Sequence, residues 1–180
     1  MKKEEFLAMS LPYGLIIHFD KYEEITDKMV GMELGTDNKW YCIYDEFGDI
    51  DADSVNPILH SLTDLTKPIE HNGEVFTPII ELAKLNDCKN SNILYSLNGR
   101  YVNVTYLINS DEGGYISMNF GFSYSNGDFR FYMFNKACNA TINNQLILIQ
   151  KLIEWHFDIA GLIEKREAID VNTLPENPYK

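Results

Sequence analysis

The stretch Tyr115-Ile116-Ser117-Met118-Asn119-Phe120-Gly121-Phe122-Ser123-Tyr124 alternates, meets Asn126-Gly127, and continues as Phe129-Arg130-Phe131-Tyr132-Met133-Phe134. Side chains of an extended strand point alternately to its two faces. Ile116, Met118, Phe120, Phe122 and Tyr124 therefore share one face, and Ser117, Asn119 and Ser123 the other. Asn-Gly tolerates positive φ at both positions, which a two-residue hairpin requires. The same arrangement recurs upstream, where 93–97 and 100–107 flank Asn98-Gly99. Strands joined by turns this tight are antiparallel, so residues 93–134 predict an antiparallel sheet.

Working outward, Asn143 or Asn144 caps a helix predicted over about 143–158. Leu146, Ile149, Ile153 and Phe157 recur at helical spacing, and Leu148, Leu152 and Trp155 widen the stripe. A long C-terminal helix packed on one face of an antiparallel sheet gives an α+β fold. Upstream, 3–10 reads as a short helix with Glu4 and Glu5 in its first turn, and Leu15-Ile16-Ile17-His18-Phe19 as a buried strand. Further strands are predicted at 29–34 and 40–44, a hairpin turn at Asn72-Gly73, and a helix opened by Thr77-Pro78. The whole chain reads as one domain, 1–180, with 170–180 a polar C-terminal arm on the surface.

The charge balance narrows the partners. With 27 acidic against 15 basic side chains the formal charge is −12, which repels phosphate backbones and acidic lipid surfaces. Direct binding of nucleic acid or membrane is disfavoured, and a basic protein partner suits the field. A special case is mimicry of DNA by arrayed carboxylates. No apolar run approaches the ~20 residues that span a bilayer. Lys2-Lys3 resembles the opening of a leader, but Glu4 and Glu5 follow at once and Pro12 and Gly14 interrupt the apolar stretch, so no leader is expected. Cys42, Cys88 and Cys138 are odd in number and form no CxxC pair, against a disulfide framework or a zinc site. The expected compartment is the cytoplasm.

Chemistry is sparse. Asp49, Asp51 and Asp53 have the spacing that opens an EF-hand loop. Ser54 stands where that loop needs glycine and His60 where it needs glutamate, leaving a weak calcium candidate in a solvated acidic loop. There is no HExxH, P-loop, GxSxG or GxGxxG, so no cofactor and no catalytic residue is assigned. His156 and Asp158 lie close in sequence, but side chains two apart on a helix do not face each other. His156 reads as the end of the long helix, and Gly161 as the left-handed residue that stops it.

Three blocks carry a family resemblance: Glu4-Glu5-Phe6-Leu7-Ala8-Met9-Ser10-Leu11-Pro12-Tyr13-Gly14-Leu15; Val55-Asn56-Pro57-Ile58-Leu59-His60-Ser61-Leu62-Thr63-Asp64-Leu65-Thr66; and Trp155-His156-Phe157-Asp158-Ile159-Ala160-Gly161-Leu162-Ile163-Glu164-Lys165. In order and spacing they resemble a family of short uncharacterised proteins carried by phages and other mobile elements of gut anaerobes. The resemblance implies an accessory protein of a mobile genome. The family usually has arginine where this chain has His60. The candidate cluster is thus His156, Asp158, Gly161 and His60. Two functions stay open: a non-catalytic protein-binding module, or a small enzyme or ligand-binding domain with a pocket between sheet and C-terminal helix.

Overall fold

The computed structural model describes residues 1–19, 26–44, 48–85, 94–98, 101–109, 115–125, 128–134, 139–141 and 144–180. In chain order the first elements are α1 (Lys3–Ser10), β1 (Ile16–Phe19), β2 (Thr26–Leu34), β3 (Trp40–Tyr44), β4 (Gly48–Asp51) and β5 (Val55–Leu59). Next come β6 (Ile69–His71), β7 (Glu74–Phe76), α2 (Pro78–Lys84), β8 (Leu94–Asn98), β9 (Tyr101–Asn109), β10 (Tyr115–Ser125), β11 (Asp128–Phe134) and β12 (Asn139–Thr141). The chain closes with α3 (Gln145–Glu154), α4 (Leu162–Lys165) and β13 (Ile169–Asp170). It divides into two compact units, one of Met1–Leu62 with Leu152–Tyr179, the other of Thr63–Lys151.

The first unit is built on a mixed six-stranded sheet in the order β13-β5-β1-β2-β3-β4. Its five N-terminal strands pair antiparallel, and β13 joins β5 in parallel. Leu15, Ile17 and Phe19 are buried along β1 while Ile16 and His18 are half-buried, the alternation expected of a sheet with one better-covered face. Met29, Cys42 and Tyr44 continue that buried face across β2 and β3. Phe6 and Leu7 of α1 are fully buried, and the Glu5 carboxylate accepts from the Lys2 N–H at 2.9 Å. The solvated acidic loop expected around Asp49 is instead β4 from Gly48, followed by a single 3₁₀ turn at Ala52–Ser54. Strand pairing of Ile43 with Asp49 and of Cys42 with Ile50 draws it into the sheet.

Proline in a central strand needs an explanation, since it cannot donate to the ladder. Pro57 sits opposite Ile17. The Met29 N–H donates to the Leu15 carbonyl, so Leu15 and Ile17 direct their backbone groups towards β2, and Ile16 and His18 towards β5. Pro57 therefore occupies a non-hydrogen-bonded pair. Its missing N–H would point to the far side, where β13 begins only opposite Ile58.

The second unit holds the antiparallel sheet read from 93–134, five strands in the order β12-β11-β10-β9-β8. Ser125 pairs with Asp128 on either side of the Asn126-Gly127 signal, whereas Asn98 is itself a strand residue paired with Tyr101, so β8 runs one residue beyond the expected turn. Gly99, Asn126, Gly127, Cys88, Cys138 and the side chains of Phe120 and Phe122 lie outside the described residues. The third signal is fully visible: β6 and β7 form a hairpin whose Asn72 and Gly73 have φ of 52° and 78°. Pro78 opens α2, with Ile79, Leu82 and Ala83 buried.

The long helix is corrected. Its carbonyl cap is at Asn144, as expected, but α3 has 10 residues and ends at Glu154. The His156 N–H bonds the Ile153 carbonyl and the Phe157 N–H the Leu152 carbonyl, which is the Schellman closure, with His156 left-handed at φ 56°. Phe157 is buried through a bridge to His60, and its helical spacing from Ile153 is coincidental. The buried stripe is Leu148, Leu152 and Ile153. Leu146, expected inside, is 66% exposed. With apolar residues at 146–149 the sequence offered more than one face, and packing chose. The described tie of α3 to the sheet is polar: the Gln145 amide accepts from the Phe131 N–H at 2.9 Å and donates to the Phe131 carbonyl at 2.6 Å.

Candidate functional site

Along one edge of β5 the pairing partner changes twice. Asn56 faces His18 of β1. Two residues on, the Ile58 carbonyl meets no strand. It accepts from the Tyr179 hydroxyl at 2.7 Å, and that hydroxyl oxygen in turn accepts from the Ile16 N–H at 3.2 Å. Two residues further, the His60 N–H donates to the His156 carbonyl at 2.8 Å and the Asp158 N–H to the His60 carbonyl at 2.9 Å. The phenol thus stands in for a ladder hydrogen bond at the junction between β1 and the 156–158 segment.

The side chains above this junction form an aromatic stack. His156 lies against Tyr179 with ring centroids 4.1 Å apart and planes 26° from parallel. His60 is 5.4 Å from Phe157 and 6.4 Å from Tyr179. All four are buried, and burial holds the Tyr179 phenol far above its ordinary range. The polar arm expected at 170–180 is therefore a docked segment, anchored by the one aromatic in an otherwise polar tail. That lone Tyr179 was the signal the sequence carried.

Asp158 has a separate task. Its two carboxylate oxygens accept from the N–H groups of Leu162 and Ile163, each at 2.8 Å, satisfying the first donors of α4. Gly161, just before that helix, has φ 69°. It is left-handed as read from sequence, but it starts α4, and His156 is the residue that stops α3. The Arg166 and Glu167 N–H groups close α4 onto Ile163 and Leu162, a second Schellman closure with Arg166 at φ 62°. His60, His156, Asp158 and Gly161 are thus brought into one junction, by backbone pairing and capping more than by converging reactive groups.

The three aspartates do not converge. Asp49 is an exposed residue of β4 and Asp53 an exposed residue of the 3₁₀ turn. Asp51 between them accepts from the Lys39 ammonium at 2.7 Å and from the Asp53 N–H at 3.0 Å, and these bonds hold its carboxyl below the usual range. Asp37 is held low as well, by the Lys39 N–H first and the Tyr41 hydroxyl second. Strand register puts Glu33, Tyr41 and Asp51 in one row, with Asp49 on the same face, opposite the side where Cys42 and Tyr44 are buried. Between Glu33 and Asp53 the sequence carries one basic residue, Lys39. A surface hollow of about 440 Å³ at the start of α1 is lined by Lys2, Lys3 and Lys165 against Glu4, Asp53 and Glu167, so its charges offset.

Among the described residues no three His, Cys, Asp or Glu side chains are grouped to hold a metal ion, and no helix is long and apolar enough to cross a membrane. Comparison with protein-family models, with curated proteins and with solved structures finds no match to this chain.

Proposed function

We propose that this chain is a non-catalytic protein-binding module, an acidic cytoplasmic accessory protein of a phage or other mobile element whose partner presents basic side chains. The observation that carries the proposal is the outward face of β2, β3 and β4. It displays Glu33, Asp49 and Asp51, with Asp37 at the hairpin tip, against two lysines among the described residues: Lys39, already bonded to Asp51, and Lys28 of β2, whose side chain lies over Gly14. A face with an excess of one sign attracts a partner of the other and hastens encounter. The Gly35 N–H donates to the Lys39 carbonyl at 2.8 Å and Asp37 braces both Lys39 and Tyr41, so the hairpin is preorganised and little conformational freedom is lost on binding. The non-catalytic part rests on the junction at β5, where Asp158 and Tyr179 serve as cap and bridge. The mobile-element context rests on the sequence resemblance alone.

Affinity capture with the tagged full chain, from the cell that carries it, tests this. The expected result is a basic protein released between 0.1 and 0.5 M salt, because screening shortens the reach of surface charge to below about 10 Å. The paired substitution Glu33→Gln with Asp49→Asn should weaken its capture. Retention indifferent to both salt and substitution would remove the proposal.

A further inference from the structure

The last stretch of chain meets its unit through a short strand, a small apolar cluster and the Tyr179 side chain. β13 is two residues long. Val171 and Tyr179 pack on Ile58 in a cluster of their own, with Ile16, Ile169 and Leu174 at its margin. The Tyr179 hydroxyl adds hydrogen bonds to Ile16 and Ile58, while Asn172, Thr173, Pro175 and Glu176 face solvent. By contrast β1 is paired on both sides, by β2 and by β5. Segments with few buried contacts open at lower free energy than the sheet they cover.

We infer that residues 169–179 form a strap that lifts from the sheet as a unit while β1 to β5 stay paired, and that lifting it empties a socket for a phenol. The walls are the His156 and His60 rings, at 4.1 and 6.4 Å from the Tyr179 ring. At the end stand one donor, the Ile16 N–H, and one acceptor, the Ile58 carbonyl, both aimed at a hydroxyl oxygen. Closing the two strands directly would need a register pair of Ile16 with Ile58 that the described ladder, ending at Ile17 and Pro57, does not make. The socket is therefore specific for an aromatic hydroxyl: a purely apolar ring would fill the space and leave both backbone groups without a hydrogen bond. A tyrosine of another chain has the same chemistry as Tyr179 and can take its place when the strap is up.

Native-state hydrogen exchange on the full chain, read by NMR and corrected for intrinsic rates, tests the strap. The Ile16 amide, which bonds Tyr179, should exchange at least about 10-fold faster than the Met29 amide, which bonds Leu15, and in step with Leu174. Equal rates for Ile16 and Met29 would mean that the strap leaves only when the sheet unfolds, and would overturn the inference. The socket is tested in Tyr179→Ala with p-cresol and toluene as probes. p-Cresol should restore protection at Ile16 and toluene should not; equal effects from the two would exclude a hydroxyl-specific site. Should that variant not fold, Tyr179→Phe keeps the ring and removes the hydroxyl. Ile16 exchange must then rise while Met29 exchange does not, and an unchanged Ile16 rate counts against the strap as described.

Discussion

The hydroxyl of Tyr179 donates to the carbonyl of Ile58 across 121 positions of sequence and is buried where it does so. Because the same oxygen accepts from Ile16, one side chain satisfies two backbone groups at the point where β5 changes partners. Tyr179→Phe leaves both buried and unmet, at a cost of about 1–3 kcal/mol for each group not rescued by water. Urea denaturation should show the midpoint fall with little change in slope. A midpoint within error of the parent would mean that Ile16 and Ile58 find each other directly.

Asp158→Ala removes both acceptors from the start of α4, and Asp158→Asn keeps one oxygen without the charge. The expected losses are about 2 kcal/mol or more for alanine and a smaller loss for asparagine, by the usual worth of caps and charge-assisted bonds. Equal stability of the two variants would show that the charge and second oxygen contribute nothing.

Gly161→Ala should lower stability by roughly 1 kcal/mol, since φ is 69° and an added Cβ is disfavoured there. A thermal melt of this one variant suffices. A raised melting temperature would contradict the left-handed assignment.

Among the described residues, three buried acids give the alkaline limb of stability its sign. Burial pushes up the Cys42 thiol and the Tyr44 and Tyr179 phenols. Each raised group binds its proton more tightly folded than unfolded, so its contribution is complete below the unfolded pKa and is lost as pH rises. Loss should begin near about pH 8.5, where an unfolded thiol ionises, and steepen near about pH 10 with the phenols. Denaturation midpoints from pH 7 to 11 measure this. Tyr44→Phe should flatten the upper part of the curve, and an unaltered curve would assign the effect elsewhere.

Calcium should bind at Asp49, Asp51 and Asp53 no more tightly than about millimolar, the weak end for oxygen-ligand loops. Asp51 would have to give up Lys39 and the Asp53 N–H first, and Asp49 is set in a strand. Calorimetry giving micromolar affinity would show that the β4 turn rearranges around the ion.

The features legible in sequence are those fixed by neighbouring residues. Asn72-Gly73 turned the chain because both residues accept positive φ, and Trp40 to Tyr44 formed a strand from β-branched and aromatic side chains. The antiparallel order of β8 to β11 followed from its short connections, and the left-handed Gly161 from its missing Cβ. Tertiary structure decided what depends on distant partners. The 143–158 pattern continued to Phe157, yet α3 stopped at Glu154, where His156 turns left-handed and Phe157 pairs with His60, almost a hundred residues earlier. Leu146 and Leu148 are equally apolar, and only the surface they met chose between them. The candidate residues His60, His156, Asp158 and Gly161 could be named one by one. Their meeting at one edge of β5, closed by Tyr179, was set by long-range backbone pairing and by where the phenol docks; a lone tyrosine in a polar tail hints at an anchor but does not name its partners.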